Sequence, residues 1–156
     1  METDLFKKVK DSTENLKSKI TDLKDDVWNE EQSSIIQEFK DGGTSKVKSV
    51  LENINNSGLL FLKSGYELQT VSVNLGIPPV IVASFHYNNK ITEEERTQLL
   101  EDIKDQKIIQ LIIKCLLKAE DFYDLVSLGN YGLGGVNITL GLTPGITINF
   151  IKKANE

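Results

Sequence analysis

A repeated segment constrains the fold of this chain more strongly than any other feature of its sequence. Residues 136–150 repeat residues 71–85 without a gap, and six of the fifteen positions are identical. Average amino-acid usage would give about one identity in such a comparison. In both segments, apolar residues alternate with Ser, Thr or Asn around a turn that contains Gly and Pro, which is typical of β-hairpins. The sequence therefore predicts two similar hairpins, which arose by duplication or by convergence on one type of turn.

Helical patterns precede both hairpins. Apolar residues recur at helical spacing over residues 45–63 and 108–128, as expected for helices with a buried face. Thr92 and Glu95 have the spacing of a capping box, so a further helix is predicted to begin there.

The predicted fold follows from this order of elements. Helix, helix and hairpin occur twice, so we expect residues 43–90 and 91–156 to be two repeats within one domain. Two repeats are too few for an open solenoid, which needs about three or more. We therefore expect a closed, two-layer α+β domain with pseudo-twofold symmetry. Both hairpins would join one four-stranded antiparallel sheet, and the helices would cover one of its faces.

Residues 1–42 predict an N-terminal amphipathic helix that forms an arm outside this domain. Apolar residues recur at the a and d positions of three heptads, and no Gly or Pro occurs before Gly42. These positions hold Phe6, Val9, Thr13, Leu16, Ile20, Leu23 and Val27. Such a helix drives dimerisation as a coiled coil, or it packs back on the domain. Membrane binding is the less favoured alternative, because interfacial helices favour Lys and Arg and this polar face is rich in Asp and Glu.

Composition excludes several classes of function. The formal net charge is −5, and an acidic chain is a poor match for nucleic acid, whose phosphates bind clustered Lys and Arg. The single Cys permits neither an internal disulfide nor a Cys-based zinc site. No EF-hand spacing or Glu-x-x-His pair is present, so we expect no metal and no cofactor. The first ten residues lack an apolar signal-peptide core, and we expect a cytoplasmic protein.

Few residues offer catalytic chemistry. His86 is the only histidine, and a general base also needs a nucleophile and an orienting partner. Cys115 falls in the most apolar helix, where a buried thiol is inert. Glu120 and Asp124 are one helical turn apart, but such residues usually form a solvated acidic face. The glycine-rich residues 131–135 precede a strand instead of a helix, so they predict a connection or a β-bulge instead of a phosphate loop. We therefore expect that the protein is not an enzyme.

The candidate interaction site is the face of the predicted sheet that points away from the helices. If Val71, Val73 and Leu75 face the helices, as do their counterparts in the second hairpin, the opposite face holds only uncharged side chains. Its predicted contact residues are Ser72, Asn74, Asn137, Thr139, Thr147 and Asn149. The face lacks the aromatic residues that stack RNA bases, whereas the cores of protein interfaces are depleted in charge. This face therefore predicts contact with another protein.

These features predict a non-enzymatic protein-interaction or self-assembly module. The partner is a second copy or a different protein, and we expect a homo-oligomer joined through the heptad helix and the uncharged sheet face. The alternative is a protein that binds an apolar ligand or a lipid surface through its helical layer. Leu59, Leu60 and residues 108–117 support this alternative, because they offer more apolar surface than a small two-layer fold needs.

Overall fold

A computed structural model describes residue 37 and residues 45–76, 79–126, 129–141 and 144–153. Of the predicted N-terminal arm it describes only residue 37, which is helical, so the heptad prediction lies outside the described residues. Helices and strands are both present, which confirms the predicted α+β class. In chain order the elements are α1 (45–56), α2 (Gly58–Lys63), β1 (Tyr66–Asn74), β2 (Val80–Tyr87), α3 (Glu93–Asp102), α4 (Lys107–Val126), β3 (Tyr131–Leu140) and β4 (Gly145–Lys152).

The four strands form one antiparallel sheet in the order β1-β2-β3-β4. β1 pairs with β2 and β3 pairs with β4, as the two predicted hairpins, while α3 and α4 connect β2 to β3. The prediction that both hairpins join one four-stranded antiparallel sheet is therefore confirmed. β2 and β3 lie at the centre of the sheet, and β1 and β4 form its outer edges.

The two hairpins have the same register. Each opposed pair of the first hairpin has a counterpart in the second, beginning with Tyr66–Tyr87, which corresponds to Tyr131–Lys152. The register also shifts at matching places, after Leu68 in β1 and after Leu133 in β3. A bulge of this kind adds one residue to a strand and reverses the alternation of its side chains. Tyr66 and Leu68 therefore face the same side of the sheet as Val71.

The open end of each hairpin is closed by a matching backbone hydrogen bond. The Asn88 amide donates to the Gly65 carbonyl at 2.8 Å, and the Lys153 amide donates to the Asn130 carbonyl at 2.7 Å. Gly65 has a φ of 91°, and a Cβ there would lie 2.0 Å from the Asn89 carbonyl oxygen. Only glycine fits this position, because it has no Cβ and adopts positive φ at little cost.

The strand order does not have the predicted pseudo-twofold symmetry. A twofold axis between the hairpins would give the order β1-β2-β4-β3, whereas β3 lies beside β2. α3 and α4 return the chain to the end of the sheet where β2 stops, so β3 begins there as its antiparallel neighbour, with His86 opposite Gly135. The second hairpin is therefore displaced from the first by two strands, which is about 10 Å across a sheet.

The hydrophobic core lies between one face of the sheet and the helices. Ile81, Ala83 and Ile138 on the central strands are fully buried, and the Tyr66 hydroxyl donates to the Leu116 carbonyl of α4 at 2.8 Å. α4 is apolar on most of its circumference, as the sequence predicts. Its buried residues are Ile108, Ile109, Leu111, Ile112, Ile113, Cys115, Leu116, Leu117, Ala119 and Glu120. Because full burial of one Ile or Leu side chain contributes about 1.5–3 kcal/mol, this helix makes a large contribution to stability.

The start of α3 is fixed by the predicted capping box. The Glu95 amide donates to Thr92 Oγ1 at 3.1 Å, and the Thr92 amide donates to Glu95 Oε1 at 3.0 Å. α3 ends at Asp102 and α4 begins at Lys107, so the chain turns between two separate helices. This turn allows α3 to pack against α4.

Candidate functional site

The face of the sheet opposite the helices is called the outer face. Opposed residues of antiparallel strands point to the same side of a sheet, so the register defines this face by rows. Two central rows are Ser72, Val82, Thr139, Gly145 and Thr70, Ser84, Asn137, Thr147. The predicted contact residues Ser72, Asn74, Asn137, Thr139, Thr147 and Asn149 are all on the outer face. The other predicted contact residues, Phe6, Val9, Leu16, Ile20 and Leu23, lie outside the described residues.

The two central rows contain no Lys, Arg, Asp or Glu. Ser84, Asn137 and Thr139 on the central strands are half-buried, whereas Ser72 and Thr147 on the outer strands are exposed. Most side chains of these two rows are small, since six of the eight residues are Ser, Thr or Gly. Such a surface can approach a second surface closely without the desolvation of a charged group.

One end of the outer face carries charge that the sequence pattern did not predict. Glu67 lies opposite His86, and both side chains are exposed. Strict alternation from Val71 would place Glu67 on the helix side, and the bulge in β1 reverses that placement. The prediction that Leu75 faces the helices is wrong, because β1 ends at Asn74 and Leu75 is 83% exposed.

Glycines allow the backbone of β3 to pass close to both of its neighbours. A Cβ at position 135 would lie 2.3 Å from the Phe85 carbonyl oxygen, and one at position 134 would lie 2.6 Å from Ile151 Cγ2. Gly134 and Gly135 belong to β3 and surround its bulge. Of the two predicted roles for the glycine-rich segment, the bulge is confirmed and the separate connection is wrong.

A second candidate site lies between α3 and α4, where two charged side chains are buried. Arg96 donates from Nη2 to Glu120 Oε1 at 2.5 Å and from Nη1 to Asp121 Oδ1 at 2.9 Å. The side chains of Arg96 and Glu120 are 10% and 1% exposed. The predicted solvated face for Glu120 is therefore wrong, because α3 covers this carboxylate with an arginine. Asp124, one turn later, is exposed and pairs with Lys90 at 2.8 Å.

Two tyrosines border this charged cluster. Burial and, after it, the nearby Glu120 raise the pKa of the Tyr66 hydroxyl above its ordinary value of 10.0, and the same causes raise the pKa of Tyr87. Burial alone would lower the pKa of Arg96, but its hydrogen bonds to Glu120 and Asp121 outweigh burial and raise it. These pKa shifts hold the arginine charged and the tyrosines neutral at ordinary pH. The cluster therefore joins α3 to α4 through a charged arginine.

The remaining candidates for catalytic chemistry are placed apart from each other. Cys115 is fully buried, and this burial raises the pKa of its thiol, so the reactive thiolate is disfavoured. His86 is exposed near the end of β2. Among the residues that the structure describes, no group of three or more His, Cys, Asp or Glu is placed to hold a metal ion. None of the described helices has the length and apolarity that a bilayer span requires.

Comparison with protein-family models, with curated proteins and with solved structures found no match to the chain.

Proposed function

We propose that this protein is a non-enzymatic self-assembly module whose outer face binds the outer face of a second copy. The observation that supports this proposal is the lack of charge across the central rows of the face, from Ser72 to Gly145 and from Thr70 to Thr147. Solvated surfaces normally carry Lys, Arg, Asp or Glu, whereas the cores of protein interfaces are depleted in charged residues.

A second copy is the partner that suits this surface. Two sheets pack face to face at about 10 Å, and small side chains allow that approach on both sides. The two central rows, which carry no charge, also meet the same rows of a second copy without repulsion between like charges. Residues 1–42 would add a coiled-coil contact through their heptad positions to this assembly.

Duplication of one helix and hairpin unit is part of this proposal, with units at residues 43–90 and 91–156. The matching registers, bulges and closing hydrogen bonds support it. Tyr66 and Leu68 are also identical to their counterparts in the second unit, Tyr131 and Leu133. Turn chemistry alone would not produce identities at the opposite end of the hairpin.

The test introduces charge on the central strands of the outer face. Ser84→Lys and Thr139→Lys, made separately, place an ammonium group on the face without changing the core. We expect each to weaken self-association by about tenfold or more in sedimentation velocity, since an unpaired charge in an interface costs more than about 1.4 kcal/mol. Asn88→Lys, in an exposed loop outside the face, is the matched control. Unchanged association in both face variants would contradict the proposal.

The helical layer provides a second candidate function, which is binding of an apolar ligand or a lipid surface. Leu59 and Leu62 of α2 are 76% and 47% exposed, and a groove of about 420 Å³ between α3 and α4 includes Leu100 and Leu117. The charged side chains that border this groove, among them Glu93, make it less suited to an apolar ligand. Co-sedimentation with phosphatidylcholine vesicles that is lost in Leu59→Lys would favour this function over self-assembly.

A further inference from the structure

The two outer edges of the sheet correspond to edges that are paired inside the same chain. Because the second hairpin lies two strands further across the sheet, β1 corresponds to β3 and β2 corresponds to β4. The outer edge of β4 thus corresponds to the edge of β2 that binds β3, and the outer edge of β1 corresponds to the edge of β3 that binds β2. We infer that β4 of one copy binds β1 of a second copy as β2 binds β3 within the chain. This contact uses strand edges and is independent of the outer face.

Two pairs of identical residues support this inference. Leu140 is 6% exposed and lies opposite Ile81 of the neighbouring strand, while its counterpart Leu75 is 83% exposed. Tyr66 is fully buried, while its counterpart Tyr131 is 45% exposed. In both pairs the buried member is covered by the other repeat, and the exposed member lies at a sheet edge where the described residues supply no further repeat.

A second copy would cover both exposed residues at once. In the register of β2 and β3, Leu75 of the second copy lies opposite Ile146, just as Leu140 lies opposite Ile81. Tyr66 donates to the carbonyl of Leu116, whose counterpart in the first repeat is Leu51, so Tyr131 would reach the Leu51 carbonyl in α1 of the second copy. One contact thus buries a leucine from one chain and a tyrosine from the other.

The register of this contact is defined residue by residue. When each residue of the β2–β3 pairs is replaced by its counterpart in the other repeat, the pairs between the two copies are Thr147–Asn74, Ile148–Val73, Asn149–Ser72 and Phe150–Val71. The two apolar pairs fall on the helix side, and the two polar pairs fall on the outer face. These four pairs bring no like charges together, so neither face opposes the contact.

The ladder ends before Thr70. Its counterpart Gly135 approaches the Phe85 carbonyl so closely that a Cβ there would lie 2.3 Å from the oxygen. Thr70 carries that Cβ, so it cannot approach the Phe150 carbonyl of the other copy in the same way. The junction between copies is therefore shorter than the junction between β2 and β3, and weaker for the same reason.

Such a contact joins two different surfaces of the chain. It is heterologous, so each added copy leaves one free β1 edge and one free β4 edge, and growth stops only when a ring closes. An isologous dimer, in which β1 binds β1 or β4 binds β4, would be a different contact from the inferred one.

Disulfide trapping between two chains tests the register. Asn74→Cys and Thr147→Cys are placed in separate full-length chains, which are mixed and mildly oxidised. Opposed Cα atoms lie about 4.5–5.5 Å apart in an antiparallel ladder, within the range that disulfides span. Ser72→Cys with Thr147→Cys is the matched control, because a two-residue offset separates the Cα atoms by roughly 7–8 Å. We expect the first pair to cross-link at least about tenfold faster than the control. Equal rates, or faster homodimers of either single variant, would overturn the inference.

Surface variants test the same contact without a cross-link. Leu75→Lys is expected to raise the dissociation constant of self-association by about tenfold or more. Leu59→Lys changes a side chain of similar exposure on α2 and is expected to leave it unchanged. A protein that is monomeric up to about millimolar concentration, or equal effects of the two variants, would overturn the inference.

The edge contact and the face contact can fail separately. The cross-link between Asn74→Cys and Thr147→Cys is expected to persist in chains that also carry Thr139→Lys, which lies on the outer face of a central strand. If Thr139→Lys abolishes the cross-link, the edges meet only because the faces do, and the inference of an independent edge contact is overturned. If Thr139→Lys leaves both association and cross-link intact, the proposal for the outer face fails while the edge contact stands.

Discussion

Removal of Arg96 should cost far more stability than removal of an equally close ion pair on the surface. Arg96 Nη2 and Glu120 Oε1 lie 2.5 Å apart, and these side chains are 10% and 1% exposed. Lys104 Nζ and Glu101 Oε1 lie 2.8 Å apart, and these side chains are 61% and 64% exposed. The two pairs differ in burial, and Arg96 also donates to Asp121 at 2.9 Å, so Lys104→Met controls for the loss of an exposed ion pair.

The magnitude follows from what each substitution leaves behind. Arg96→Met leaves the Glu120 carboxylate buried under α3 without its cation, and a buried charge that has lost its partner costs about 3–5 kcal/mol. Lys104→Met leaves an exposed carboxylate in water, so the expected cost is below about 1 kcal/mol. With a urea slope of about 2 kcal/mol per molar, the unfolding midpoint should fall by about 2 M for Arg96→Met and by less than about 0.5 M for Lys104→Met.

Urea unfolding of a double-mutant cycle is the assay. Arg96→Met with Glu120→Leu removes both charges, so it should be clearly more stable than Arg96→Met alone, with a coupling energy above about 2 kcal/mol. Arg96→Lys keeps the charge but loses one of two hydrogen bonds, and it provides a folded variant if Arg96→Met does not fold. A coupling energy below about 1 kcal/mol, as in an exposed pair, would refute the argument from burial.

Three further expectations concern the strands. Gly135→Ala should lower stability by more than about 1 kcal/mol in urea unfolding, because its Cβ would meet the Phe85 carbonyl oxygen at 2.3 Å, while Gly145→Ala, with nothing within 4 Å, should change it little. The pKa of Tyr66 is raised by folding, so its contribution to stability is complete below about pH 10 and is lost as the pH rises further. Tyr66 alone should therefore lower the free energy of unfolding by up to about 1.4 kcal/mol per pH unit above that pH. Tyr66→Phe should reduce this alkaline slope, and an unchanged slope would contradict the assignment. Thr70→Gly should strengthen self-association in sedimentation velocity while lowering the melting temperature, because it removes the Cβ that ends the inferred ladder between copies; weaker association would count against that ladder.

The sequence was sufficient where local patterns act alone. Alternation around the two Pro-containing turns predicted the hairpins, and the spacing of Thr92 and Glu95 predicted the start of α3. These features depend on residues within one turn or one strand, so the pattern and its cause lie in the same stretch of sequence.

The sequence failed where a distant contact decides the outcome. The order of β3 and β4 depends on how α3 and α4 return the chain, which no local pattern encodes. The bulge after Leu68 reverses the side of Glu67, and strict alternation cannot show that reversal. Leu75 continues the alternation of β1, which predicts a core position, but the strand ends one residue earlier, at Asn74.

The burial of Arg96 and Glu120 is indicated by the positions of these residues on their helices, although net charge does not reveal it. Arg96 lies on the same stripe as Leu99, Leu100 and Ile103, at spacings of three, four and seven residues. That is the spacing of a buried helix face, so a charged residue on it requires a buried partner. Glu120 follows Leu116 and Leu117 in the same manner and is that partner.

Pairing within each hairpin and pairing between the two hairpins should form at different stages of folding. Opposed residues of each hairpin are close together in the chain, whereas Ile81 and Leu140, which meet across the centre of the sheet, are separated by the whole of α3 and α4. Hairpins close within microseconds, and contacts between distant positions form slowly because loop closure costs entropy before any contact forms. The two hairpins should therefore form early and independently, and the pairing of β2 with β3 should limit the rate. Until that pairing forms, the edges of β2 and β3 that will meet are exposed to other chains. Faster folding therefore shortens the time during which these edges can pair with the wrong chain.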